Sequence, residues 1–508
     1  VLPAVQNPSR RSRRQALRAC AAGLLAGGCA TAGAQAARSL AIEPTFNTTV
    51  SYVDSTRRGV GQDGDLVTQL QPGFRISSNG GRVRGALNYT LNAVNHSRSD
   101  FGSEIQNNLS ASFNAEAIER TVFVDASATV SQGVLSAYGQ QSADPTQTNA
   151  NRVEVATVSI SPYVRTSLAG LAIADLRLRA SATNARRSKT ADSTTTGATL
   201  SLASPNTLAR VGWSAKVQSD RVEYRIGRAT QTDSASVSLI ARPDPELSLS
   251  LRGGQETSDV STLERRSYSN SGGTLRWTPN PRTTASIDIG QRYFGRSEQV
   301  LLEYRLSQSS LRFNSSRDAT SGADPRGVGT PVSLYQLYDQ LLSSSFPDPV
   351  LRDQAVRDLL RAAGLDPNAV VGGGFINRGV TLQRRDDLGW TYTGRRLSLN
   401  LLAFRSESKV LDPTAVGATD ADVRQHGWTA TVSYQLTPTV STNLTGSMLT
   451  TPGTPARAGT ELKTVSLAGT SRLGRYTDLV LSARYSVFNS PTDGYREGAF
   501  NGSFSVRF

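Results

Sequence analysis

The chain of 508 residues has two cysteines, Cys20 and Cys29, both in its first 36 positions, and nothing after residue 29 can form a disulfide. It has two histidines, His96 and His426, so a His/Cys metal cluster of the usual kind is excluded. Serine is so abundant that a Ser–His pairing carries no signal, and Gly372-Gly373-Gly374 lacks the strand-to-helix setting of a phosphate loop. No run of ~18 apolar residues is present to cross a membrane as a helix. After residue 18 there is no Lys/Arg block and no nucleic-acid module. The expectation is a protein with no cofactor, no metal and no enzymatic activity.

What is present begins at the two ends. Arg10, Arg11, Arg13, Arg14 and Arg18 precede an apolar stretch, Ala19 to Ala26, and then Ala34-Gln35-Ala36. A basic segment, a short apolar core and a small-x-small site read as a secretory signal peptide over 1–36, with Ala34 and Ala36 as the small residues of a cleavage site near Ala36. Ser12–Arg18 also looks like a twin-arginine signal, and Leu25–Cys29 faintly like a lipoprotein site. The first route carries folded cargo, and in the second the leucine stands one place too far from Cys29. Losing five arginines and no acids would lower the formal charge from +14 to +9.

At the other end, Phe508, Val506, Phe504, Gly502 and Phe500 alternate with Arg507, Ser505, Ser503 and Asn501. Period-two alternation is the mark of a strand with one apolar and one polar face. An apolar face ending in a terminal aromatic suits the closing strand of a barrel with lipid on one side and water on the other. Asn501, Val506 and Phe508 also match the spacing of an outer-membrane assembly signal, although its glycine stands at Gly502 and not at position 503. An exposed edge of a soluble sandwich or solenoid would alternate too, but would not explain an export signal at the opposite end.

Between the ends, alternating segments of ten to fifteen residues are separated in turn by short and long connections. Leu247, Leu249 and Leu251 alternate with Ser248, Ser250 and Arg252; Trp428, Ala430, Val432, Tyr434 and Leu436 form another apolar face. Short turns are marked by Asn79-Gly80-Gly81, Ser204-Pro205-Asn206, Arg242-Pro243-Asp244-Pro245, Pro279-Asn280-Pro281, Thr437-Pro438 and Gly474-Arg475. Longer polar stretches fall near 55–63, 132–151, 185–192, 411–424 and 451–460. The pattern predicts an all-β fold over 37–508: an antiparallel transmembrane outer-membrane β-barrel of about 22 strands, within a range of 18 to 24. A mean hydropathy of −0.32 does not oppose this, because only alternate residues of such a strand face lipid.

The inward positions include Arg84, Arg177, Arg179, Arg252, Arg292, Arg484 and Arg507, candidates for a basic lumen. One stretch changes period. Leu337 and Leu341, then Val356 and Leu360, recur at helical spacing, and Asp348-Pro349 is a sound helix start. Two short helices are predicted inside one long extracellular loop, 319–374, and their apolar stripes predict a lid folded over or into the barrel.

The stretches Pro347–Leu365, Phe375–Arg385 and Leu402–Glu407, with Ile42–Tyr52 and Gln69–Ser77, resemble the PEP-CTERM system-associated outer-membrane proteins. The resemblance covers essentially all of 37–508. It implies a Gram-negative outer-membrane barrel made alongside exosortase and exopolysaccharide gene clusters, with no established activity. The expected function is a channel for exopolysaccharide export or anchoring, with a general porin or a non-conducting structural barrel as alternatives. Expected partners are membrane lipid, the barrel assembly machinery, exopolysaccharide and its periplasmic export components, and no nucleic acid.

Overall fold

The computed structural model describes residues 40–508 except 58–59, 98–102, 145–148, 187–188, 206–209, 363–374, 377–378, 413 and 415–421; within 321–348 it describes Tyr335, Tyr338, Asp339 and Leu342. The signal region, with Ala34 and Ala36, lies outside the described residues, as do Leu337 and Leu341.

Twenty-two strands form one sheet in which each is antiparallel to its neighbours in sequence. The first, β1 (Leu40–Arg57), also pairs with the last, β22 (Tyr495–Arg507), from Thr45↔Arg507 to Arg57↔Tyr495. That seam leaves no unpaired sheet edge, as lipid demands, since each orphan backbone group there costs several kcal/mol. The terminal residue adds to it: the Phe508 N–H donates to the Pro44 carbonyl at 3.0 Å, and the ring stands on the outer face, 75% exposed.

Side-chain alternation divides the wall cleanly. Leu239, Leu251, Val465, Leu467 and Phe500 are exposed on the outside. Their neighbours Ser238, Ser250, Ser466 and Asn501 face inward. Trp213, Trp277, Tyr304 and Trp390 are outward and close to the short connections, forming an aromatic girdle. An exposed apolar band around a polar interior is stable only in a bilayer, and a closed barrel of 22 strands belongs to the outer membrane of a Gram-negative bacterium.

An even strand number returns the C-terminus to the side of the short turns, the periplasmic side of such barrels. The turns show why they are short. Between β6 (Arg152–Leu168) and β7 (Ala172–Ala185), Ala169 (φ 49°) and Gly170 (φ 73°) are both left-handed, the pairing a two-residue hairpin turn needs.

The stretch expected to be a loop at 55–63 is largely strand. β1 runs to Arg57 and β2 (Val60–Gly80) begins three residues later. Asp and Gly are poor strand formers alone, but here the β1–β2 ladder carries on as far as Arg57↔Val60 and overrides that weak propensity.

The long insert lies between β15 (Ser309–Thr320) and β16 (Thr381–Thr393). Its described helix, α1 (Pro349–Ala362), begins at the proline expected to start it. Tyr335, Tyr338, Asp339 and Leu342 are helical as well.

Candidate functional site

The lumen is the candidate site, and what fills it comes from two connections on the long-loop side. Along α1, Asp353, Val356 and Leu360 fall at spacings of three and four and so share one face. Val356 and Leu360 are 0% exposed. The helix packs against β2 and β3 (Val83–His96), where the Asp353 carboxylate accepts a hydrogen bond from Arg75 Nη2 at 2.8 Å. Arg75 alternates with the outward Phe74 and Ile76 and therefore faces inward. It sits five residues from the end of β2 and pairs with Glu43 near the start of β1, so it lies in the periplasmic third of the wall.

The insert thus leaves the barrel at its long-loop end and reaches down inside to the opposite end. It also crosses from side to side. The Ile376 N–H donates to the Val134 carbonyl at 2.8 Å, at the top of β5 (Val122–Val134). In a ring of 22 strands, β5 and β15 are ten apart and face one another across the lumen. A barrel this size is about 45 Å across, given strands ~4.8 Å apart and tilted by roughly 35–45°.

Asp353 holds the helix from three directions. Besides Arg75 it accepts from Tyr335 Oη at 2.5 Å and from Arg357 Nε at 2.9 Å, and the Arg357 guanidinium lies 4.8 Å from the Tyr335 ring centre. Arg352 Nε binds Asp339 at 2.7 Å and ties the first helical segment to α1. Burial, reinforced by the Asp353 charge, pushes the Tyr335 phenol well above its ordinary value; burial alone does the same for Tyr338.

The second element is the connection between β5 and β6, which folds across the lumen instead of standing above it. Asp144 Oδ2 accepts from Arg484 Nη2 at 3.0 Å, and its carbonyl accepts from Arg152 Nη1 at 2.9 Å. Tyr495 Oη donates to the Gln141 carbonyl at 2.8 Å, and Tyr138 Oη to the Asp422 carbonyl at 3.4 Å. The loop is therefore fastened to β18 (Asp422–Thr437), β21 (Thr477–Asn489) and β22. No helical period marked it as an insert, and its contacts reach residues as far as 354 positions away.

All seven candidate arginines lie on the inward strand face, but the chain brings acids to five of them. Arg177 meets Asp125 at 2.6 Å, Arg252 meets Asp288 at 3.5 Å and Arg507 meets Asp478 at 3.1 Å. Arg292 bridges Glu256 at 2.7 Å and Asp318 at 2.9 Å; Arg484 bridges Asp144 and Glu497, the latter at 2.8 Å. Glu256 and Glu497 are almost fully buried, so these arginines serve as counter-ions within the wall. Glycines make room for one of them: a Cβ at Gly272 or Gly290 would stand within 2.9 Å of Arg252 Nη2. Arg84 and Arg179 have no acid partner among the described residues.

His96, the last residue of β3, has a carboxylate beside it. Its Nδ1 lies 2.7 Å from Asp65 Oδ2, and Ser97 Oγ donates to Asp65 Oδ1 at 2.7 Å. His426 lies on the outer face, two residues from Trp428. Among the described residues no group of three His, Cys, Asp or Glu side chains could hold a metal.

No family model and no curated protein matches the chain. Solved structures do. The FrpB iron transporter of Neisseria meningitidis (F5-1 variant, apoprotein) is similar over 91% of this chain and 81% of that one, at 10% identity and a TM-score of 0.49. The siderophore receptor PirA of Pseudomonas aeruginosa matches over 92% and 80%, at 10% identity and a TM-score of 0.43. The outer membrane protein opdK of Pseudomonas aeruginosa matches over 92% and 99%, at 7% identity and a TM-score of 0.35.

Proposed function

We propose that this barrel is a gated outer-membrane conduit for a hydrophilic solute or polymer, closed at rest by its own insert. The observation that carries the reading is the Asp353–Arg75 contact, which pins a helix from a long-side loop to the inner wall near the opposite mouth. A barrel of this size leaves a water-filled channel unless something fills it, and the insert and the β5–β6 loop fill it from two sides. The buried face of α1 supports a stable closed state, because each buried Val or Leu is worth about 1.5–3 kcal/mol.

The cargo we infer is a surface polysaccharide, and its support is the sequence resemblance to exopolysaccharide-linked barrels. Excising residues 325–372 tests the conduit: the barrel is expected to assemble and to show clearly larger single-channel conductance in planar bilayers. Unchanged conductance would favour the second reading, a static surface barrel, which the doubly filled lumen also suits. Deleting the gene is expected to leave polysaccharide in the periplasm; normal surface polysaccharide would remove the cargo assignment.

A further inference from the structure

We propose that the short-turn mouth of the barrel is a collar that captures an acidic polymer, a carboxylated chain approaching from the periplasm. This deepens the conduit reading and rests on it. Ten connections lie on this side; six carry arginine and only two carry a carboxylate, Glu119 and Glu246. Arg82, Arg282, Arg395, Arg396 and Arg475 are exposed there, and among the described residues none has an acid within pairing reach. On the long-loop side bases and acids are interleaved, as in Arg186, Lys189 and Asp192 or Asp259, Glu264 and Arg265.

The collar continues inward. Arg84 and Arg276 stand two and five positions inside their strands and face the lumen, again without acid partners. Higher on the wall the charges are mixed: Lys216 lies within the electrostatic reach of Asp220 as well as of Arg179, Arg252 and Arg292, and the last two already have acid partners. The one-sign excess is therefore confined to the mouth, where it raises the local concentration of the opposite ion. Anionic phospholipid would be the rival occupant, since it also carries negative charge at this depth. Strand alternation argues against it: Arg84 and Arg276 point into the lumen, where headgroups do not reach, and two-residue turns such as 81–82 and 281–282 project below the lipid band.

The test uses the full-length barrel in phosphatidylcholine nanodiscs, with polygalacturonate as the acidic probe and dextran as the neutral one. Polygalacturonate is expected to bind at low salt and dextran not to bind. The variant R82Q/R282Q/R395Q/R396Q/R475Q, checked for assembly by heat-modifiable migration, is expected to bind the polyuronate about tenfold more weakly. Should that variant fail to assemble, Arg395→Gln with Arg396→Gln alone is expected to show a smaller but measurable loss. Equal binding by variant and wild type, or equal binding of dextran, would overturn the collar. So would anionic phospholipid that co-purifies with the wild type and is lost from the variant while neither protein binds polyuronate. An excised barrel that conducts but does not bind the polyuronate would refute the collar and leave the conduit standing.

Discussion

Replacing Asp353 with alanine should release the insert while leaving the barrel intact. The carboxylate is nearly buried and accepts three hydrogen bonds, two of them from guanidinium groups. Hydrogen bonds to charged groups contribute roughly 1.5–3 kcal/mol each. Removing one member of a buried ion pair costs about 3–5 kcal/mol, because the partner is left without its counter-charge. Here that partner is Arg75, whose Nε already lacks a hydrogen bond and whose other acid, Glu43, is 3.7 Å away. The apolar face of α1, chiefly Val356 and Leu360, supplies about 3–6 kcal/mol, so the loss is comparable to what remains. At 1.4 kcal/mol per decade, the docked-to-undocked ratio should fall by about a hundredfold or more. Single-channel recording reads this directly: wild type should stay mostly closed, and Asp353→Ala should open often to the conductance of the 325–372 excision. If the excised barrel conducts and Asp353→Ala is indistinguishable from wild type, the carboxylate is not the latch.

High pH should loosen the same insert. Tyr335 and Tyr338 have their phenols raised in the folded state, so their contribution is complete below the ordinary tyrosine value near 10 and is lost as pH rises beyond it, at about 1.4 kcal/mol per unit for each. Open-channel events should therefore increase between about pH 10 and 11, and Tyr335→Phe with Tyr338→Phe should flatten that rise. Asp144→Asn should free the β5–β6 loop from Arg484 without touching α1, which would appear as faster current fluctuations at unchanged closed probability; a shift in closed probability would mean that the two inserts are coupled. Phe508→Ser should lower outer-membrane assembly, since it removes the outward ring at the seam while keeping the N–H bond to Pro44; normal heat-modifiable migration would contradict that reading of the terminus.

The wall was legible because its determinants are local. Alternation at Leu247–Arg252 and Phe500–Phe508, with proline or glycine at the short turns, is fixed by neighbours two residues away. The face of α1 was legible for the same reason, its period being local. What escaped was everything set by closure. Alternation shows that Arg177 and Arg484 face inward, yet it cannot show that Asp125 and Asp144 arrive beside them, because those acids are brought by register and by a loop from across the ring. The His96–Asp65 contact was hidden likewise: it is a diagonal pairing of side chains 31 residues apart, far along the hairpin from its turn at 81–82. The strands also outran expectation at Ser55–Arg57, where pairing with β2 overrides weak strand propensity.

Arg75 and Asp353 are 278 residues apart in sequence, and that separation favours one order of events. Joining them in an open chain means closing a loop of that length. Once β15 and β16 are set in a finished ring, the tether from Thr320 to Asp353 is 33 residues long. Closure entropy grows as (3/2)RT ln n, so waiting for the ring makes docking easier by about 2 kcal/mol. Docking after the ring has closed is therefore the favoured order. On the conduit reading proposed above, a newly inserted molecule would hold an uncorked pore until its insert docks, and the brevity of that interval would be a requirement on the insert as real as the tightness of its final fit.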